Sequence, residues 1–175
     1  METLEAIHSR RSVRAFTDEP VPEELLREVL QAAAGAASSG NIQPWGFVVV
    51  QDSHRLQALG ALAPGIIGQP TAVVAICLDV ERAERLGGAL GPKLAWIDIG
   101  LATQNLLLAA HDLGLGACPI GSFHREATAL FLDLPSSVQP VLLMALGYPR
   151  VKPASPGRRP LTEICFAERW GTPYE

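Results

Sequence analysis

Several signatures that would settle a function at once are missing from this chain. Net positive charge is absent: the formal charge is −4 over 175 residues. That excludes the broad basic face which nucleic acid or an anionic membrane requires. Cysteine is scarce. Cys77, Cys118 and Cys165 are odd in number, far apart and form no CxxC pair, which points to a reducing compartment and to thiols that pack as small hydrophobes. The apolar run over residues 97–110 is broken by Asp98, Gln104 and Asn105 and is too short to span a bilayer. The first twelve residues are charged and lack an apolar core, so no signal peptide is expected. A cytoplasmic protein with no nucleic-acid or membrane partner is the expectation. His8, His54, His111 and His124 show no ligand spacing, and no metal site is expected. There is no GxSxG elbow and no Walker-type phosphate loop. The glycines of residues 114–122 follow a helix and enter a strand. A dinucleotide-binding fingerprint needs the reverse order, so that reading is excluded.

What is present is apolar. Hydrophobic residues make up 48% and charged residues 18%, more apolar surface than one small globule hides, so a large subunit interface is expected. Thr3 is placed to cap a short helix carrying Leu4 and Ile7. Leu25, Leu26, Val29, Leu30 and Ala33 predict an amphipathic helix over residues 23–36. Buried strands are expected at 46–50, 72–78, 115–120 and 140–146, with further helices at 53–62 and 125–132. Residues 87–92 are glycine-rich and read as a mobile lid or pocket wall. Residues 93–113 form the longest helix, apolar on nearly every face, which predicts burial against a second subunit. Gly114 supplies the left-handed residue that ends it. The tail, 151–175, is polar and proline-rich but carries Leu161, Ile164, Phe166 and Trp170, the anchors of a segment docked on a partner.

Three tracts carry the chemistry. Arg10, Arg11, Ser12 and Arg14, with Arg158 and Arg159 from the far end, form a knot of guanidinium in an acidic chain. Arginine's planar fork fits phosphate oxygens two at a time, so a cage for one dianionic phosphate is the functional reading, against a bland one of solvated surface charge. Residues 38–45 place Ser38, Ser39, Asn41 and Gln43 beside Pro44 and Trp45, suited to the polar edge of a planar ligand. Ile120, Gly121 and Ser122 close a strand where a flat ring could approach the backbone and receive N–H bonds. Asp98, Gln104, Asn105 and His111 read as polar groups satisfied within a helix interface, and Cys118 as a buried structural thiol.

In this order the tracts resemble the flavin-dependent nitroreductase superfamily, from Ile7 to about Glu168. The segment Arg10-Arg11-Ser12-Val13-Arg14-Ala15-Phe16 is similar to the family's opening motif, and Ser38-Ser39-Gly40-Asn41-Ile42-Gln43-Pro44-Trp45 to its most recognisable tract. Asp98 to Asn105 and Gly114-Leu115-Gly116 match its central dimer helix and exit. The resemblance implies an α+β, nitroreductase-like fold: a central mixed sheet of four to five strands wrapped by helices, in an intertwined homodimer. Residues 1–175 would be one FMN-binding domain, its tail from about 151 docking on the partner subunit.

By the same resemblance, Arg10, Arg11, Ser12, Arg14, Arg158 and Arg159 hold the FMN phosphate and ribityl chain. Ser38, Ser39, Asn41 and Gln43 approach the flavin from the other subunit, and Ile120, Gly121 and Ser122 present backbone N–H groups to its reactive nitrogen. The implied activity is ping-pong transfer of a hydride from NADH or NADPH to FMN and on to a small organic acceptor: a nitroaromatic, a quinone or an activated alkene. No side-chain acid or base is assigned. A flavin carrier or sensor with little turnover is the alternative. A specialised reaction such as dehalogenation or flavin cleavage is a third. The chain departs from the family pattern at Ala37, at Pro119 and at Pro156-Gly157, where proline, tryptophan and lysine are common. It is also short, which reduces the pocket-building insertions to residues 65–69 and 81–92.

Overall fold

The computed structural model describes residues 1–174; Glu175, the end of the expected tail, lies outside the described residues. In chain order the elements are α1 (Thr3–Ser9), α2 (Glu23–Ala34), β1 (Trp45–Val50), α3 (Ser53–Leu62), β2 (Ala72–Asp79), α4 (Val80–Gly87), α5 (Gly91–Asp112), β3 (Gly116–Ile120), α6 (Arg125–Phe131) and β4 (Val138–Gly147). The fold is α+β, with four strands in the order β1-β2-β4-β3.

β2 lies inside the sheet, and from Ala72 to Leu78 no side chain is more than 1% exposed. Alternation sends Val74, Ile76 and Leu78 to one face, against Leu26 and Val29 of α2 and Ile99 and Leu106 of α5. Val73, Ala75 and Cys77 go to the other, against Phe16, Leu59, Ala63 and Leu132. A strand buried on both faces needs an unbroken apolar sequence, which is what these residues provide. Each fully buried valine, leucine or isoleucine contributes about 1.5–3 kcal/mol. Burial also pushes the Cys77 thiol up to about 11, as an inert packing group requires.

The sheet is antiparallel throughout rather than mixed. After β1 the chain goes out along α3 and returns through residues 63–71. Val73 therefore pairs with Val50, at the end where β1 stopped. The one parallel contact among the described residues is the isolated bridge between Ser12 and Ala117.

Two local expectations are corrected. Thr3 is the first helical residue of α1, not its cap; Glu2 stands at that position and makes no side-chain cap bond. Residues 87–92 form no mobile loop. Asp79 caps α4 by accepting from Arg82 N–H at 2.8 Å, and a 3-10 turn over Gly88–Leu90 leads directly into α5. A Cβ at Gly91 would stand 1.9 Å from the Ala83 carbonyl oxygen. The glycine permits close packing of α4 on α5 instead of mobility. α5 itself ends as expected, with Gly114 at φ 79°.

α5 is not buried all round. Ala95, Ile99, Ala102, Leu106 and Ala110 face the core, while Leu94, Ile97 and Leu101 are 37–61% exposed. Their spacing puts those three on one face of the helix. α1 packs on α5 and adds exposed Leu4 and Ile7. No described helix is long and apolar enough to cross a membrane.

Candidate functional site

The arginine segment follows α1 as extended chain laid along β3. Val13 N–H donates to Ala117 O at 3.0 Å. Val13 is buried beside Phe16, while Arg10, Arg11, Ser12 and Arg14 line a cavity of about 290 Å³, closed by Pro153, Ala154, Pro156 and Arg158 of the tail. Among the described residues no carboxylate lines it. Nη1 of Arg10 is buried with no hydrogen-bond partner. Burial, and then repulsion from Arg158 and Arg11, lower the Arg10 pKa from its ordinary value. A buried donor without an acceptor, among like charges, marks a place shaped for an anion. The residues present therefore fit a phosphate ester.

Two arginines of the set are otherwise engaged. Arg11 donates from Nη1 to the carbonyls of His8 and Arg10 at 2.7 and 2.8 Å, and from Nη2 to Ser155 Oγ at 2.8 Å, so it fastens the tail over the cavity. Arg159 lies outside the lining and pairs with Glu163 through Nε at 3.2 Å.

β3 is an edge strand, which accommodates Pro119 without loss of a ladder bond. Beyond Ile120 the chain emerges at Gly121 and Ser122, both exposed. The segment 63–70 ties this end to the arginine segment. Gly65 N–H donates to Ser122 O at 3.0 Å, and a Cβ there would come within 2.6 Å of Ile120 Cγ2. Gly68, at φ +80°, leaves only 2.4 Å between an added Cβ and Arg14 O. Gly68 requires glycine because of its φ and the Arg14 backbone, and Gly65 because the Ile120 side chain and Ser122 O crowd the position.

The serine tract is a tight turn at the start of β1. Gly40, Asn41 and Gln43 have φ of 55, 57 and 51°, the left-handed region that non-glycine residues seldom enter. Ser38 Oγ accepts from Gln43 N–H at 3.0 Å. Ser39 donates from both N–H and Oγ to Asp98 Oδ1, at 3.0 and 3.1 Å. Gln43 Nε2 donates to Asn41 Oδ1 at 2.9 Å. None of Ser38, Ser39, Asn41 or Gln43 lines the arginine cavity. One chain does not bring these sequence-predicted residues together.

Of the polar groups of α5, Gln104 is exposed, whereas Asp98, Asn105 and His111 are engaged. Asn105 Nδ2 donates to Ala32 O at 3.2 Å. His111 Nε2 lies 2.7 Å from Ser9 Oγ, which also stands 2.7 Å from Glu5 O. Cys118 is buried, which raises its pKa against the pull of Arg14 and Arg10; a nucleophilic role is not supported. Sequence reasoning missed Arg82, read residues 65–69 as a pocket-building insertion rather than a bridge, and gave Asp98 only a bland role; the one signal for Asp98 was a lone acid within an apolar helix. A larger cavity, about 540 Å³, lies beside α3 and is lined by Gln51, Leu56, Gln57, Ile66 and Gln69 among others. It offers no cation, so the phosphate reading belongs to the smaller one. No group of three or more metal-ligating side chains occurs among the described residues.

Known proteins share this fold. The model of the nitroreductase family matches residues 7–71 and 65–148. An FMN reductase (NAD(P)H) of Bacillus subtilis is 31% identical over 97% of the chain and 74% of its own length. An NADH dehydrogenase of Thermus thermophilus is 32% identical over 95% and 96%. The solved structure of B. megaterium NfrA2 superposes with a TM-score of 0.88 at 31% identity, covering 98% of this chain and 76% of that one.

Proposed function

The chain belongs to the nitroreductase family, and from that premise we propose that two copies hold FMN between them and reduce a small organic acceptor by a ping-pong mechanism. It is an NAD(P)H-dependent flavin oxidoreductase. Bound FMN supplies the redox chemistry, taking a hydride from NADH or NADPH and passing reducing equivalents to a nitroaromatic, quinone or activated alkene. The observation that carries the site assignment is the carboxylate-free arginine cavity with its orphaned Arg10 donor. Arg10, Arg14 and Arg158 hold the phosphate and Ser12 adds a hydroxyl donor. Arg11 keeps the tail in place through Ser155, and Arg159, paired with Glu163, contributes charge from outside the cavity. The exposed backbone at Gly121 and Ser122, after Ile120, offers N–H groups to the ring.

Asn41, Gln43 and the hydroxyl of Ser38 reach the flavin of the second copy. Their separation from the arginine cavity within one chain supports that exchange, as does the exposed face of Leu94, Ile97 and Leu101. Residues 1–175 act as one domain whose tail lies on the partner. Leu161, Trp170 and Tyr174, 66–88% exposed in the single chain, support this docking.

Steady-state oxidation of NADH and NADPH by the FMN-loaded protein tests the reading. Parallel double-reciprocal lines as a quinone or nitroaromatic is varied are expected. Intersecting lines would overturn the ping-pong order. A nucleotide oxidation rate that no acceptor changes would mean a flavin carrier.

A further inference from the structure

Asp98 is a carboxylate 2% exposed within an otherwise apolar stretch of α5. A charge in such a place is unfavourable unless it holds something. It has no ion-pair partner among the described residues. Oδ2 has no hydrogen-bond partner, and Oδ1 takes two bonds from Ser39. On the opposite flank of the same turn, Arg82 of α4 donates from Nε to Ile42 O at 2.6 Å and to Gln43 O at 3.2 Å. Between these grips lie the three left-handed residues, and Gln43 is further restricted by the proline that follows it. Backbone in this state persists only when its surroundings over-determine it.

Resting on the flavin reading above, we infer that Asp98 and Arg82 are positioning residues, two side chains of opposite charge that fix the 38–44 turn in the shape its flavin contacts need. Ser39 is then an anchor, both its donors spent on Asp98, and Asn41 and Gln43 are the groups presented outward. Asp98 sits beside Ile97 of the exposed face, so the helix turn that meets the second copy also grips the turn that reaches into that copy's site. The turn is held at the seam where it acts.

The test compares wild type, Asp98→Ala, Asp98→Asn and Arg82→Met. FMN dissociation constants and the visible circular dichroism of bound flavin are the readouts, with apoprotein melting and molar mass as controls. Asp98→Ala should weaken FMN by about tenfold or more, the scale of one lost charge-assisted bond, and diminish the flavin signal. Asp98→Asn keeps an acceptor for Ser39 and should return the affinity to within about threefold of wild type. Arg82→Met should fall between them. Wild-type affinity and dichroism in a folded Asp98→Ala protein, with only a lower melting point, would overturn the inference. Should that variant not fold, an unchanged Arg82→Met protein would overturn it instead. A wild type that takes up no FMN would fail the flavin reading itself, whereas variants that match a binding wild type fail this inference alone.

Discussion

A guanidinium nitrogen buried without an acceptor, as Nη1 of Arg10 is, costs about 1–3 kcal/mol. On the flavin reading proposed above, a bound phosphate would return the bond. Each charge-assisted bond from such a group is worth about 1.5–3 kcal/mol, so Arg10→Ala combined with Arg14→Ala should remove several and yield protein that purifies without colour. Stoichiometric flavin retained by that double variant would refute the phosphate cage. The arginines were legible in the sequence because their chemistry lies close along the chain. What each guanidinium does was not. Arg11 turns back on the carbonyls of His8 and Arg10, and Arg159 meets Glu163 one helical turn on. Ser39, expected at the ligand, bonds Asp98, 59 residues away, a pairing that no local pattern announces.

At the level of elements, periodicity found α2 to within two residues, because packing follows the apolar spacing there; α3 was also placed within its true bounds, though it buries only Leu59. The reading from glycine content failed at residues 87–92, where Gly87, Gly88 and Gly91 suggested mobility and the chain forms a 3-10 turn that leads into α5. Those glycines answer tertiary contact, which is invisible from spacing. α5 shows the converse. Its uniform apolarity predicted burial against a partner, and in the single chain the face of Leu94, Ile97 and Leu101 stands open. Burying each Leu or Ile contributes about 1.5–3 kcal/mol, and two-fold symmetry counts every residue twice. Ile97→Glu together with Leu101→Glu should therefore give a monomer by light scattering that takes up little FMN, since Asn41 and Gln43 would lose the site they serve. A dimer of unchanged mass would contradict this use of α5.

Across the whole molecule, strand number and the α+β architecture could be read from the sequence, but strand direction could not. The return of residues 63–71 reverses β2, and Gly65 and Gly68 show why the detour has its length: it links the end of β3 at Ser122 to the arginine segment at Arg14, the ring and phosphate ends of the proposed site. In the proposed dimer both ends would belong to one subunit and the 38–44 turn to the other, which would make cofactor, dimer and activity one property of the assembly. The most direct measurement is the visible spectrum of freshly purified protein, recorded anaerobically before and after one equivalent of NADH or NADPH. Flavin bands that bleach with either nucleotide are the predicted result. A protein without flavin bands, and without uptake of added FMN, would contradict the account at its centre.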